Sequence, residues 1–212
     1  MRSPKALLFF ALLVWGAAAE AAAPPDGRLD FAVIRGGDEI GRHEMLFRRD
    51  GDALQVDVRT RIAVKVLFVT AYRFEHDGRE TWRSGRLVRL VSSTDDDGAK
   101  HRLNVEANGG GLKVVGDGQE REVDGAIVPA SLWNEGVLRG GPLLNTLDGR
   151  SMAVSVEDLG AETVEARGRR IPARHYRLAG ELERDLWYDA TSVLVRVRFN
   201  GKDGSEVLYE LR

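Results

Sequence analysis

LQVDVRTRIAV, residues 54–64, alternates with a period of two. Leu54, Val56, Val58, Thr60, Ile62 and Val64 fall on one face, while Gln55, Asp57, Arg59, Arg61 and, just beyond, Lys65 fall on the other. That is the pattern of a strand with one buried and one solvated face, as antiparallel sheets have. It returns near the end of the chain. Val193, Val195, Val197 and Phe199 oppose Leu194, Arg196 and Arg198, and Val207, Tyr209 and Leu211 oppose Glu206, Glu210 and Arg212. The even apolar positions continue past Val64 through Val66, Phe68, Tyr72 and Phe74. A straight strand over 54–74 would run about 70 Å at roughly 3.3 Å per residue, well beyond ordinary strands. The chain must therefore bend, bulge or turn near Val64 to Val66, as a curving sheet does.

Outward from this stretch, turn chemistry dominates. Asp-Gly or Asn-Gly pairs begin at 50, 77, 97, 108, 117, 124, 148, 200 and 203, and such pairs supply the positive φ that tight hairpins need. The segments between them predict strands over 28–35, 40–49, 53–64, 66–76, 86–94, 100–107, 111–123 (broken), 151–159, 162–167 with 170–179, 182–189, 193–200 and 205–212. One region departs from this rhythm. From Val128 to Leu147 the apolar residues do not alternate, Pro129 and Pro142 stand where short helices could begin, and Gly136 and Gly140-Gly141 where they would end. The expected fold is all-β, mainly an antiparallel meander. It is a strongly curled, incompletely closed β-barrel of about eleven strands with short helical turns at 128–147, since so long a sheet closes or curls.

The first residues read as a secretory signal peptide over 1–19. Arg2 and Lys5 precede an apolar run, Ala6–Trp15, and small residues follow that suit cleavage after Ala19 or Ala21. The run is about half the roughly 20 residues a membrane span needs, so no transmembrane segment is expected in the mature chain. Residues 20–27 read as a disordered linker and 28–212 as a single β-barrel-like domain. The expected address is the periplasm of a Gram-negative envelope, or secretion. Removing Arg2 and Lys5 takes the formal charge from −2 to −4, which argues against a nucleic-acid partner. The chain has no cysteine, which excludes thiol catalysis, cysteine metal sites and a lipidated cysteine. Composition sets no oligomeric state.

Ser131 lies between Pro129-Ala130 and Leu132-Trp133, not in the G-x-S-x-G setting of a nucleophile, and is expected to cap a short helix. His43, His76, His101 and His175 have no metal-ligand spacing and are expected as surface or partly satisfied strand residues. TDDDG at 94–98 is followed by Lys100, His101 and Arg102, not by calcium ligands, and GGG at 109–111 opens no helix. Neither a metal nor a cofactor is expected. A carboxylate beside an aromatic can act as an acid, which makes Glu80 before Trp82, and Asp185 and Asp189 around Trp187, the remaining enzymatic route, with Glu135. Trp187 falls on the polar side of its strand with Glu183, Asp185 and Asp189, whereas Leu182, Leu186 and Tyr188 share the other. It therefore needs a cover, expected to be the 128–147 insertion, which would place it near Trp133.

IGRHEMLF (40–47), RFEHDGRETWRSGRL (73–87), SSTDDDG (92–98), VPASLWN (128–134), LWYD (186–189) and DGSEVLYEL (203–211) together resemble the exported bacterial domain-of-unknown-function family 6134. The resemblance spans essentially the whole mature chain. It carries no established activity and no catalytic or binding residue. The architecture also resembles the periplasmic lipoprotein-carrier fold, a curled, unclosed barrel with a helical lid over an apolar cavity. The chain departs from that fold in its shorter helices and in lacking a matched lipid-ligand motif. The expected function is a periplasmic binding or carrier protein holding an apolar small molecule, a lipid or a lipoprotein on its concave face. Trp133, Trp187, Trp82, Tyr72 and Asn134 are the candidate ligand-binding residues, and no residue is assigned as catalytic. Its rivals are an envelope enzyme using clustered carboxylates and an interaction module using open sheet edges. The first needs those carboxylates to converge; the second needs an exposed, uncharged edge.

Overall fold

The computed structural model describes residues 23–212. The signal peptide over 1–19 and both cleavage sites lie outside the described residues. Of the stretch expected as linker, residues 23–27 are described and are tied to the fold. Ala23 packs on the core, Gly27 N donates to Pro24 O, and Asp26 pairs with Arg167.

The described residues form fifteen strands in one sheet. They are β1 (Arg28–Arg35), β2 (Asp38–Asp50), β3 (Ala53–Val66), β4 (Val69–Arg83), β5 (Arg86–Asp96), β6 (Ala99–Asn108), β7 (Gly111–Gly116) and β8 (Gln119–Asp124), then β9 (Val128–Pro129), β10 (Gly141–Leu144), β11 (Ser151–Ala166), β12 (Arg169–Gly180), β13 (Arg184–Asp189), β14 (Leu194–Asn200) and β15 (Glu206–Leu211). The order across the sheet is β8-β7-β6-β5-β4-β3-β2-β1-β15-β14-β13-β12-β11-β10-β9. Strands consecutive in sequence are thus neighbours, except at one place. β1 pairs with β15, with Val33 opposite Tyr209, so the two ends of the chain meet mid-sheet. The sheet opens instead between β8 and β9, and its two free edges are linked by three residues of chain. The curl is visible in contacts across many strands: Lys202 of the β14–β15 turn pairs with Asp96 at the end of β5, and Tyr188 of β13 reaches Leu132 beyond β9. This is the expected incompletely closed barrel.

The count exceeds the expected figure of about eleven, and the twelve stretches read from the sequence, for identifiable reasons. The broken 111–123 segment is the β7–β8 hairpin, and the 128–147 insertion contributes two strands of its own. That insertion holds one short 3-10 helix, Glu135–Arg139, where two helical turns were expected. The second does not form because Gly140 and Gly141, both at positive φ, return the chain to an extended path. β10 there pairs antiparallel with β11 and parallel with β9. Asp77-Gly78 is not a turn but lies in mid-β4. Asp77 takes the outer-face arginines Arg59 and Arg61, and bare Gly78 leaves room beside the His76 ring.

The bend expected near Val64 is a β-bulge at Val64/Lys65, followed by a turn at Leu67-Phe68. The inner face of the curl carries Leu29, Phe31, Met45, Val56, Val58, Leu90, Leu103, Val105, Leu186 and Val197, all buried. Each such side chain contributes about 1.5–3 kcal/mol by leaving water. The loop after β10 closes on this core where Gly116 meets it. A Cβ at 116 would stand 1.8 Å from the Asp148 carbonyl oxygen. Two backbones in such contact cannot yield cheaply, so Gly116→Ala is expected to cost on the order of 3 kcal/mol. A lowered urea midpoint with an unchanged m-value checks this.

Candidate functional site

The interior is layered along the curl. At one end lies a plug built on Glu80, which is 1% exposed. Trp82 Nε1 and Trp133 Nε1 both donate to Glu80 Oε2, at 2.8 and 2.9 Å. The Trp133 ring meets Trp82 and Phe47 edge-on, with centroids 5.5 and 5.2 Å apart. Burial pushes the Glu80 carboxyl above its usual pKa, while Ser131, Trp133 and Trp82 oppose that shift. Ser131 Oγ is buried beside this group with no partner in hydrogen-bond geometry, and exerts its effect by proximity. It does not cap the helix. Asn134 does, its side chain accepting from Gly136 N at 2.8 Å. Leu132, at positive φ, is fixed by the Tyr188 hydroxyl, which donates to its carbonyl at 2.5 Å.

Above the plug runs a polar row. The β2–β3, β3–β4 and β4–β5 registers place His43 opposite Thr60, Thr60 opposite His76 and His76 opposite Thr94. His43 Nδ1 and Thr60 Oγ1 are 2.7 Å apart, as are His76 Nδ1 and Thr94 Oγ1. Burial pushes His43 down to about 3, with His76 adding to the effect, and His76 down to about 4. Both rings are neutral at ordinary pH. Each makes one hydrogen bond, through Nδ1, and is thus partly satisfied, but both lie inside the curl rather than on its outer surface. Their inner-face parity with Met45 and with Phe74 was the sequence signal for it.

Above this row the interior opens into a cavity of about 410 Å³. Ile62, Val64, Phe74, Val207 and Phe199 give it apolar walls, and Tyr209 and Phe74 connect it to the row below through ring contacts with His43 and His76. Its cations are Arg35, Lys202 and Arg184. Arg35 pairs with Asp203 and Lys202 with Asp96. Arg184 has no carboxylate partner among the described residues. Its guanidinium lies 4.0 Å from the centre of the Phe199 ring and donates to the Glu183 carbonyl. Burial lowers its pKa, with Tyr209 and Glu183 opposing. β13 parity puts Arg184 on the inner face with Leu186 and Tyr188, which sequence reading passed over because arginine usually marks the wet side. Tyr72 also lines the cavity and donates to Asp96 at 2.7 Å; burial raises its pKa.

Of the five candidate residues, Tyr72 alone lines this cavity. Trp82 and Trp133 meet in the plug, and Asn134 caps the helix beside it. Trp187 does not share their contacts. It stacks on His175, with centroids 4.2 Å apart, beneath Arg198 and Arg196, and its indole donates to Glu162. Its cover is thus neighbouring strands, and it is Tyr188 that faces the insertion. The carboxylates also stand apart. Asp185 is held by His175 at 2.9 Å, by Arg177 and by Arg198. Burial alone would raise its pKa, but the hydrogen bonds from His175 and Arg198 outweigh it and hold the carboxyl low. Asp189 Oδ1 organises the β13–β14 turn through Thr191 and Val193, and Glu80 sits in the plug.

The free edges are guarded. β8 reads QEREVD, and β9 is two residues long and contains Pro129, features that discourage strand addition. No helix among the described residues is long and apolar enough to cross a membrane.

No curated protein sequence matches the chain. Among solved structures it is similar to a β-barrel-like protein of the domain of unknown function DUF1849 from Brucella abortus, at 10% identity and a TM-score of 0.60, over 87% of this chain and 94% of that one. At that identity the likeness concerns the fold. The family model described as "Domain of unknown function (DUF6134)" matches residues 31–212, from β1 to the end of β15, and the chain belongs to that family.

Proposed function

We propose that this is a binding or carrier protein of the cell envelope whose ligand is an amphiphile with an apolar body and one anionic group. The reading rests on one observation: an apolar-walled cavity of about 410 Å³ that contains a partly buried guanidinium without a carboxylate partner. Small-molecule sites are of this kind, roughly 300–1,000 Å³, mostly apolar, with a few polar groups that fix orientation. Arg184 would hold the anionic head and Phe199, Ile62, Val64 and Phe74 the tail. The signal-peptide pattern in residues 1–19 supports the envelope location. The enzyme reading loses support because its carboxylates do not converge, and the edge-pairing reading because both edges are guarded.

Calorimetric titration with dodecanoate and with dodecanol tests this. Dodecanoate is expected to bind the more tightly, and Arg184→Gln to remove about tenfold or more of that preference, as losing a hydrogen bond to a charged group does. Ile62→Trp should block both ligands by filling the cavity. A protein that binds neither, or an Arg184→Gln variant that keeps the preference, overturns the reading.

A further inference from the structure

We infer that the β3–β4 hairpin tip is a membrane-docking finger that inserts into the interface of an anionic lipid surface. β2 last pairs with β3 at Gly41–Ile62, and β5 last pairs with β4 at Phe74–Asp96. Apart from Arg73, whose backbone is bonded to Asp97, residues 63–73 therefore form backbone pairs only with each other and project from the sheet by on the order of 15 Å. At the apex Leu67 is 88% exposed, Phe68 101% and Val69 69%.

The turn itself does not ask for these residues. Leu67 and Phe68 have φ of 48° and 68°, the left-handed region that disfavours large side chains. The other two-residue hairpin turns with both φ positive among the described residues are Gly36-Gly37, Ser84-Gly85, Asp97-Gly98, Gly109-Gly110, Asp117-Gly118 and Arg167-Gly168. Each places glycine second, where this turn has Phe68. The fold gains nothing visible from the exchange, since neither side chain packs on the core. A projecting apolar apex without a core role is suited to an apolar medium.

Charge points to lipid as the occupant. From Val58 to Phe74 the hairpin carries Arg59, Arg61, Lys65 and Arg73 and no carboxylate; at its base Arg59 and Arg61 pair with Asp77, and Arg73 lies 3.7 Å from Glu75. Lys65, two residues from the apex, forms no ion pair among the described residues. Asp96, facing Phe74 on β5, is engaged by Tyr72 and Lys202. Elsewhere the chain is slightly acidic, so this cationic finger is the part that an anionic headgroup layer would attract, with the apolar apex below the headgroups. Tyr72 and Val64, on the same hairpin, line the cavity, which sets the finger beside its mouth. The inference stands on the hairpin alone and holds whether or not the cavity takes an amphiphile.

Vesicle flotation tests it, using phosphatidylethanolamine–phosphatidylglycerol vesicles against phosphatidylcholine vesicles. The double variant Leu67→Asn with Phe68→Gly gives the turn its preferred residues, so it is expected to fold at least as well. It should nevertheless lose about tenfold or more of the partitioning, because its insertable apolar surface is gone. Lys65→Glu should weaken binding selectively to the anionic vesicles. Phe68→Trp should show a blue-shifted emission change on vesicle addition. A wild-type protein that ignores anionic vesicles, or a double variant that binds them equally, overturns the inference. So does a tip change that alters only the sedimented mass, which would make the apex a contact between copies. Dodecanoate binding by the double variant should be unchanged, which separates failure here from failure of the cavity reading.

Discussion

Trp133→Ala is expected to lower stability by about 3–5 kcal/mol, the range for removing a buried tryptophan from a packed core. Against a typical total of 5–15 kcal/mol, that leaves a marginal protein. Trp133 is 2% exposed and packs against Glu80 and Trp82 of β4 and Phe47 of β2. The loss has a second part. Glu80 Oε2 accepts from two indoles, and removing Trp133 leaves it only that of Trp82. Trp133→Phe separates the two parts by keeping a ring while deleting the donor, and should cost about 1–2 kcal/mol. That cost should shrink in a Glu80→Gln background, where no buried carboxylate needs the donor. Urea unfolding of the four proteins gives the coupling directly. If Trp133→Ala unfolds at the wild-type midpoint, the plug is not holding the fold.

The sheet was legible in the sequence because period-two alternation over 54–64 and closely spaced glycine-bearing turns together point to hairpins. The insertion at 128–147 was legible as an interruption, but not as the place where the barrel stays open. That depends on β1 meeting β15, a pairing between the two ends of the chain that no local pattern encodes. Asp77-Gly78 misled because a turn pair is also a good outer-face acid followed by an inner-face gap. Leu67-Phe68 was missed as a turn because it lacks turn residues. Parity assigned residues to faces correctly, as with Trp187, yet could not say what lies opposite a face. For that reason Trp187 was matched to the wrong cover, and Arg184, His43 and His76 went unnoticed as interior residues. The cavity is a property of which residues meet across the curl, and Tyr72 was its one member within reach of sequence reasoning.

Acid should destabilise the fold well before its carboxylates titrate. His43 and His76 are lowered from 6.5 to about 3 and about 4, so between those values and 6.5 the unfolded chain binds protons that the folded chain refuses. Their contribution is fully present above pH 6.5 and is lost as pH falls toward the folded values. Each ring can remove up to about 1.4 kcal/mol per pH unit, and because part of the lowering of His43 comes from His76, the two together should cost about 2–4 kcal/mol between pH 6.5 and 5. Glu80 acts in the opposite sense. Its pKa is raised, so its contribution is present below 4.5 and lost as pH rises through the folded value. Glu80→Gln should therefore steepen the acid response. Asp96, Asp117, Asp158, Asp185 and Asp203 are lowered from 3.8 and add their losses only below that pH. Of the charged groups near His76, Asp77 favours its protonation and Arg61 opposes it. Thermal midpoints from pH 7.5 to 5 (a range of roughly the histidine window) should fall steeply for the wild type and less for His76→Gln. His43→Gln with His76→Gln should be nearly flat, and a double variant that keeps the wild-type slope would place the acid-sensitive groups elsewhere. Because the folded rings take up protons only near their lowered values, the cavity floor they touch through Tyr209 and Phe74 stays uncharged over this interval.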